Sequence, residues 1–286
     1  MTVAKKSPRT LRGAIRVLKE LAAEGDCVFR GHGSAGDQLK TTLERYWVSP
    51  VDAALAVHPV EKFISLYQAG LTRMGGTTIG EGPSWLDWLE HARHHGAPAP
   101  LLDFSWSPYV ALFFAFNGVR GEGRSVVYAL SVKRLKRFWA LRRSPDRGPG
   151  FRDVCRDFER IDGLEPNELR FVRCPGRFAQ RMHRQLGAFL YCTLDYRAVG
   201  VENFEGYLEQ IDETADAKES PIILSSEGPV LTKVVLRHDW ATEAFEMLEL
   251  MNIRGATLFQ SADGVACDVW NAFHYNPRST YLREPC

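Results

Sequence analysis

Residues 101–116 read LLDFSWSPYVALFFAF. The first four fit a short buried strand. The stretch 107–117 fits a helix that is apolar on every side, with Pro108 in its first turn, where a missing N–H is tolerated. A strand that turns directly into such a helix belongs to a core built of sheet and helix together. Three small polar residues, Asp103, Ser105 and Ser107, stand at the joint. Ser107 immediately precedes the proline and suits the helix N-cap. Asp103 and Ser105 are left without that simplest role. Capping or pairing with Arg30 is the structural reading open to them. Small polar groups aimed into a cleft is the functional one.

Outward from this joint, residues 9–24 show helical spacing through Leu11, Ile15, Leu18 and Leu21, with Gly25 as the stop. DCVFRG (26–31) is a short strand, opened into a loop by Gly31, Gly33 and Gly36. Residues 37–47, 51–74 and 84–94 read as helices, with 75–83 as a loop. SVVYALSV (125–132) is a strand, and the Arg- and Lys-rich 133–150 reads as an exposed connection. Residues 150–161 and 176–187 have helical patterns, and AFLYCTL (188–194) is a strand. Residues 201–210 read as helix and 211–220 as loop. VLTKVVL (230–236) is a strand, followed by helix 239–252 with Asp239 as its N-cap, and by one helical segment over 256–274. Helices and strands do not alternate as in a parallel βαβ protein. The expectation is a single α+β domain over 1–286, with a motif-bearing core at about 25–275 after a short N-terminal helix. A small, mostly antiparallel sheet or sheets would have helices packed around them.

The 286 residues are enough for a sizeable core, and a net charge of +1 gives no bulk field toward nucleic acid or membrane. The six cysteines show no metal-ligand spacing and are too sparse for a disulfide scaffold. The start MTVAKKSPRT has no apolar core of a signal peptide, and no apolar run reaches the roughly 20 residues of a membrane span. A reduced, cytoplasmic protein is expected.

Four places carry candidate chemistry. Arg30 ends an apolar strand, either paired with a buried acid or serving as an anion clamp, and the glycines after it would let a ligand approach the backbone. Asp103 and Ser105 are the second place. Gln185, Gly187 and Phe189 span a helix-to-strand step and form the third. Arg177, Arg181 and Arg184 share a helical face, read equally as a solvated surface or as a phosphate or nucleic-acid contact. His94 and His95 are adjacent and point apart, and no H-E-x-x-H or Cys/His cluster exists, so no metal site is expected. A nuclease built on Asp103 with one of these histidines would need a second carboxylate, and the sequence nominates none. The G-x-S-x-G, Walker and dinucleotide fingerprints are also missing.

The segments VFRG (28–31), HHGAPAPLLDFSWSPYVALFFAF (94–116), RMHRQLGAFLYC (181–192) and ATLFQSADGVA (256–266) resemble the FRG domain family. Ala99 departs from that family's usual Thr. The order of the motifs is similar to the ADP-ribosyltransferase plan of the Arg–Ser–Glu type, which implies an ADP-ribosyltransferase-like core. In that plan an Arg ends a first strand and orders the phosphates and ribose of NAD, a Ser-bearing strand end and helix shape the nicotinamide pocket, and a later Glu stabilises the cationic transition state. The resemblance puts Arg30 in the first role and Ser105 in the second. Gln185 stands where the Glu is expected, and it lacks the negative charge, so Asp103 would supply it or the fold would bind without transfer. It further implies cofactor contacts from Gly31, His32, His95 and Phe114.

The function expected is an NAD-binding transferase, acting as an intracellular toxin or phage-defence effector on a protein, RNA or DNA acceptor, with a neutralising antitoxin or a defence-system partner. The alternative is a non-catalytic nucleotide- or nucleic-acid-binding module using the Arg-rich stretches 133–147 and 170–184.

Overall fold

A computed structural model of the chain describes residues 3–46, 58–76, 82–143, 149–159, 168–173, 180–194, 196, 200–214, 228–276 and 279. In chain order the strands are β1 (Val3–Lys6), β2 (Cys27–His32), β3 (Leu101–Ser105), β4 (Arg124–Ser131), β5 (Leu169–Arg173), β6 (Gly187–Cys192) and β7 (Leu231–Arg237). The helices are α1 (Leu11–Ala23), α2 (Thr42–Tyr46), α3 (His58–Arg73), α4 (Trp85–His94), α5 (Pro108–Phe116), α6 (Val132–Arg143), α7 (Pro149–Asp157), α8 (Gln180–Arg184), α9 (Phe204–Thr214), α10 (Ala241–Leu250), α11 (Gly255–Phe259) and α12 (Ala262–Tyr275).

All seven strands join one mixed sheet in the order β1-β7-β4-β2-β3-β6-β5. Every neighbouring pair is antiparallel except β1 with β7. The two-residue period of the strands sorts the core. Val28, Leu102, Tyr128, Leu190 and Phe171 pack on one face beneath α6 and α9. The other face carries Phe29, Val127 and Val234 beneath α1, α5 and α10, and Leu101 and Phe189 beneath α3 and α4. No helix among the described residues is long and apolar enough to cross a membrane.

The joint at 101–116 forms β3 and α5 as expected, and Ser107 caps α5 by accepting from the Val110 N–H at 3.3 Å. Other expectations need correction. Ahead of the expected first helix, α1, the N-terminal segment enters the sheet as β1, pairing with β7. Much of the stretch 133–150 is the helix α6, with Leu135, Phe138, Trp139 and Ala140 buried. β5 also lies in a segment the pattern did not mark as strand. Asp239 sits in a 3₁₀ turn over His238–Trp240 and pairs with Arg237, while α10 starts after it without a side-chain cap. The segment 256–274 is two helices, broken where Gln260 adopts φ 48°.

Candidate functional site

The sheet nearly parts in its middle. β2 and β3 share a single pair, Phe29 with Ser105, whereas β2 and β4 share six. Where the β2–β3 ladder ends, a carbonyl of β3 loses its backbone donor and must find another. Arg30 supplies it: Nη1 donates to the Asp103 carbonyl at 2.8 Å and lies 3.6 Å from Asp103 Oδ2. Arg93, from α4, reaches the same Oδ2 and donates to the Leu101 carbonyl at 2.8 Å. Two guanidiniums, with side chains 15% and 17% exposed, thus share one carboxylate that is 37% exposed. The cluster keeps an excess of positive charge. Burial pulls the Arg30 guanidinium down to about 10; Asp103 opposes that shift, and Arg93 and Arg45 add to it.

His32 stands next along the same edge. Its Nε2 accepts from Arg30 Nε at 2.8 Å, which puts the ring proton on Nδ1. That Nδ1 is buried and has no partner among the described residues. Burial, then the charges of Arg30, Arg45 and Lys233, push His32 down to about 3, so it is neutral. The His32 ring meets Tyr128 edge-on at 5.3 Å. The Tyr128 hydroxyl lies 2.7 Å from the Asp37 carbonyl and 2.8 Å from Glu205 Oε1, its single proton shared between these two acceptors, and Glu205 pairs with Lys233. Burial and Glu205 raise the Tyr128 hydroxyl, keeping it a donor.

Of the four residues expected to share one site, Arg30 contacts Asp103, and Ser105 contacts Gln185. Ser105, two residues from Asp103 on β3 and opposite Phe29, donates from Oγ to the Gln185 carbonyl at 2.5 Å and accepts from the Ser107 N–H at 3.0 Å. The Gln185 side chain is buried and donates from Nε2 to the Leu258 carbonyl at 3.3 Å. These bonds stitch β3, α5, α8 and α11 together. Gly31 is likewise structural. A Cβ there would lie 1.9 Å from the Ala111 carbonyl oxygen, so this glycine permits the close approach of α5. Phe114 packs edge-on against Phe113 and Phe259. His95 is exposed at the end of α4, with its ring 4.6 Å from that of His91.

Arg177 lies outside the described residues, Arg181 falls within α8, and Arg184 is exposed there. Five cations in the described parts of the two Arg-rich stretches contact three acids. Arg134 pairs with Glu24 at 2.8 Å, Lys136 with Glu159 at 3.7 Å, Arg173 with Glu159 at 3.1 Å and Arg170 with Glu168 at 2.5 Å, and Arg143 also reaches Glu168. Among His, Cys, Asp and Glu of the described residues, the one group close enough to share an ion is Glu24, Asp26 and Cys27, all engaged in or beside structural bonds around α6.

Sequence reasoning missed Arg93, Tyr128, Glu205 and Lys233. Lys233 had a readable signal, a lone charge in the middle of VLTKVVL. Arg93 had none, because one base on an amphipathic helix is ordinary.

The geometry of Arg30 and Asp103 lies within a recognisable segment. Residues 25–123 match the FRG domain. The FRG match holds β2, α4, β3 and α5 and so contains Arg30, His32, Arg93, Asp103 and Ser105, while Gln185 and the motif at 256–266 fall beyond it. No curated protein and no solved structure matches the chain.

Proposed function

We propose that the protein binds NAD⁺ or a related nucleotide with a phosphate against Arg30 and Arg93, and transfers its ADP-ribosyl group to an acceptor, as an intracellular toxin or phage-defence effector. The observation that carries the reading is the excess of guanidinium over carboxylate where the β2–β3 ladder ends. Planar, nearly buried guanidiniums held by carbonyls are suited to phosphate recognition. The unpartnered His32 Nδ1–H fits the same ligand, since it can donate to a phosphate or ribose oxygen.

NAD⁺ supplies a glycosidic bond that breaks with its electron pair leaving on nicotinamide, and an acceptor oxygen or nitrogen then bonds C1′ and gives up a proton. The protein's part would be to hold the phosphates and set a negative charge near the developing cation. Asp103 is the carboxylate at this cluster. A phosphate competes with it for the guanidiniums and returns charge to it. Gln185 is neutral and turned toward Leu258. That orientation favours a second reading, nucleotide binding without transfer.

Calorimetry with NAD⁺ tests both. Wild type should bind saturably, Arg30→Lys should bind about tenfold more weakly, and Arg30→Ala should not bind, with thermal melts confirming that each variant is folded. Asp103→Asn should keep binding and lose nicotinamide release. Absence of NAD⁺ binding by folded wild type defeats both readings. Binding without nicotinamide release, whatever protein, RNA or DNA acceptor is added, leaves the second.

A further inference from the structure

The helix α12 is amphipathic the wrong way round. Its buried residues are Gly264, Asp268, Asn271 and Ala272. Both polar members are tied inward. Asp268 accepts from the Gly255 and Ala256 N–H groups at 2.5 and 2.7 Å, and Asn271 Nδ2 donates to Asn117 Oδ1 at 3.0 Å. Gly264 lets the helix sit on α11, since a Cβ there would lie 2.4 Å from the Gly255 carbonyl oxygen. The large apolar side chains point outward: Val265 is 45% exposed, Trp270 41% and Phe273 70%. A surface helix of a lone molecule turns its apolar stripe to the core. Side chains of this size gathered on one outer face mark a surface that another surface covers.

The spacing identifies the cover. Ala262, Ala266, Val269 and Phe273 recur four, three and four residues apart, the seam by which one helix packs along another. At about 1.5 Å per residue that seam is about 18 Å long. It is uneven in bulk, with the small Ala262 and Ala266 in its first half and Phe273 at its end. One flank is uneven in charge. Asp263 stands in the first turn; Trp270 and His274 stand toward the other end, with their rings 4.1 Å apart and the Arg120 guanidinium over the Trp270 ring at 4.9 Å. An identical helix laid antiparallel about a two-fold axis reverses the ends and sets like flank beside like flank. Phe273 then falls on the partner's Ala262, and Val269 on the partner's Ala266. Asp263 comes level with the gap between the partner's Trp270 and the partner's His274, beside the partner's Arg120. Bulk meets small residue, acid meets base, and the two helix dipoles oppose. A parallel copy would set Phe273 on Phe273 and Arg120 on Arg120.

We propose that α12 is the surface by which two copies of this chain associate, paired antiparallel along the seam from Ala262 to Phe273. A single helix pair lies at the small end of specific interfaces, which corresponds to a dissociation constant on the order of 10 µM. The surface is separate from Arg30 and stands independently of the nucleotide reading.

The test is sedimentation of the full chain from about 1 to about 200 µM, a range that brackets such an affinity, with thermal melts on every variant. Wild type should be monomeric at the low end and largely dimeric at the high end. Phe273→Asp, at a side chain mostly in solvent, should stay folded and remain monomeric throughout. Asp263→Lys should weaken the dimer about tenfold by setting like charge beside the partner's Arg120. Adding Arg120→Glu to Asp263→Lys should recover most of that loss. A wild type that is monomeric at every concentration overturns the proposal, even if this face takes up lipid vesicles or a different protein. So does a dimer that a folded Phe273→Asp leaves intact, or one whose affinity Asp263→Lys does not change.

Discussion

A histidine beside an arginine at a strand edge looks like a pair of cations, but its surroundings make His32 a neutral acceptor. Its pKa lies near 3 when folded, against about 6.5 when exposed. Between those values the unfolded chain binds one more proton than the folded one. The group is a base whose folded pKa is lowered, so its contribution is level above about pH 6.5 and stability falls as pH drops toward 3. The slope from this residue alone is about 1.4 kcal/mol per pH unit. Urea unfolding from pH 7 to pH 4 should show it, and His32→Gln should flatten the curve by that amount. A variant with the wild-type slope would mean that His32 protonates freely when folded. Protonation would also cost the bond from Arg30, since a protonated Nε2 cannot accept. At this scale Arg30 and Asp103 were legible, because a charge in an apolar strand must have a reason. The glycine signal at Gly31 was real, but a sequence does not say whether backbone or ligand makes a close approach, and Ala111 makes one here.

Among elements, the β3–α5 joint was the most readable, since period-two and all-apolar helical runs leave little ambiguity and Ser107–Pro108 marks the boundary. α6 was hidden for the opposite reason. Its many Lys and Arg suggest a surface, yet Leu135, Phe138 and Trp139 keep a helical stripe while the long basic stems lie outward. β1 and β5 are outermost strands of four and five residues, too short for alternation to stand out. The joint also explains Ser105. One hydroxyl closes the loop between β3 and α5 and binds the chain entering β6. Ser105→Ala should therefore destabilise the fold by about 1–3 kcal/mol, the range for leaving buried groups unsatisfied. It should leave NAD⁺ affinity within twofold of wild type, because Arg30, His32 and Asp103 remain in place. Denaturant melts and calorimetry on the same sample separate the two effects. A large loss of affinity at unchanged stability would place Ser105 at the ligand after all.

At the scale of the whole molecule the question is where the positive charge goes. The chain holds 36 Lys and Arg against 35 Asp and Glu. Near-equality in the total says nothing about patches, and the Arg-rich stretches in sequence look like one. Folding brings them together with acids distant in the chain: Arg134 with Glu24, Arg143 and Arg170 with Glu168, Lys136 and Arg173 with Glu159. Pairing of this kind gives exposed groups little stability, and with five cations on three carboxylates it lowers, without cancelling, the charge that a phosphate backbone would meet. The cluster at Arg30 keeps a two-to-one excess like those at Glu159 and Glu168, but with its two guanidinium side chains 15% and 17% exposed, a setting for one or two phosphates rather than a long backbone. A protein tracking a nucleic-acid backbone through 6–10 phosphates loses about 10³–10⁵ in affinity between 50 and 200 mM salt. Here a labelled single-stranded 20-mer of RNA or DNA should lose less than about tenfold over that range, and any residual affinity should be unaffected by Arg184→Ala. NAD⁺ should show a comparably shallow salt dependence, set by its two phosphates. A drop of about 10³ for the 20-mer would point to the basic surface as the contact and to nucleic acid rather than a dinucleotide as the ligand, since no pocket of two guanidiniums could engage that many phosphates.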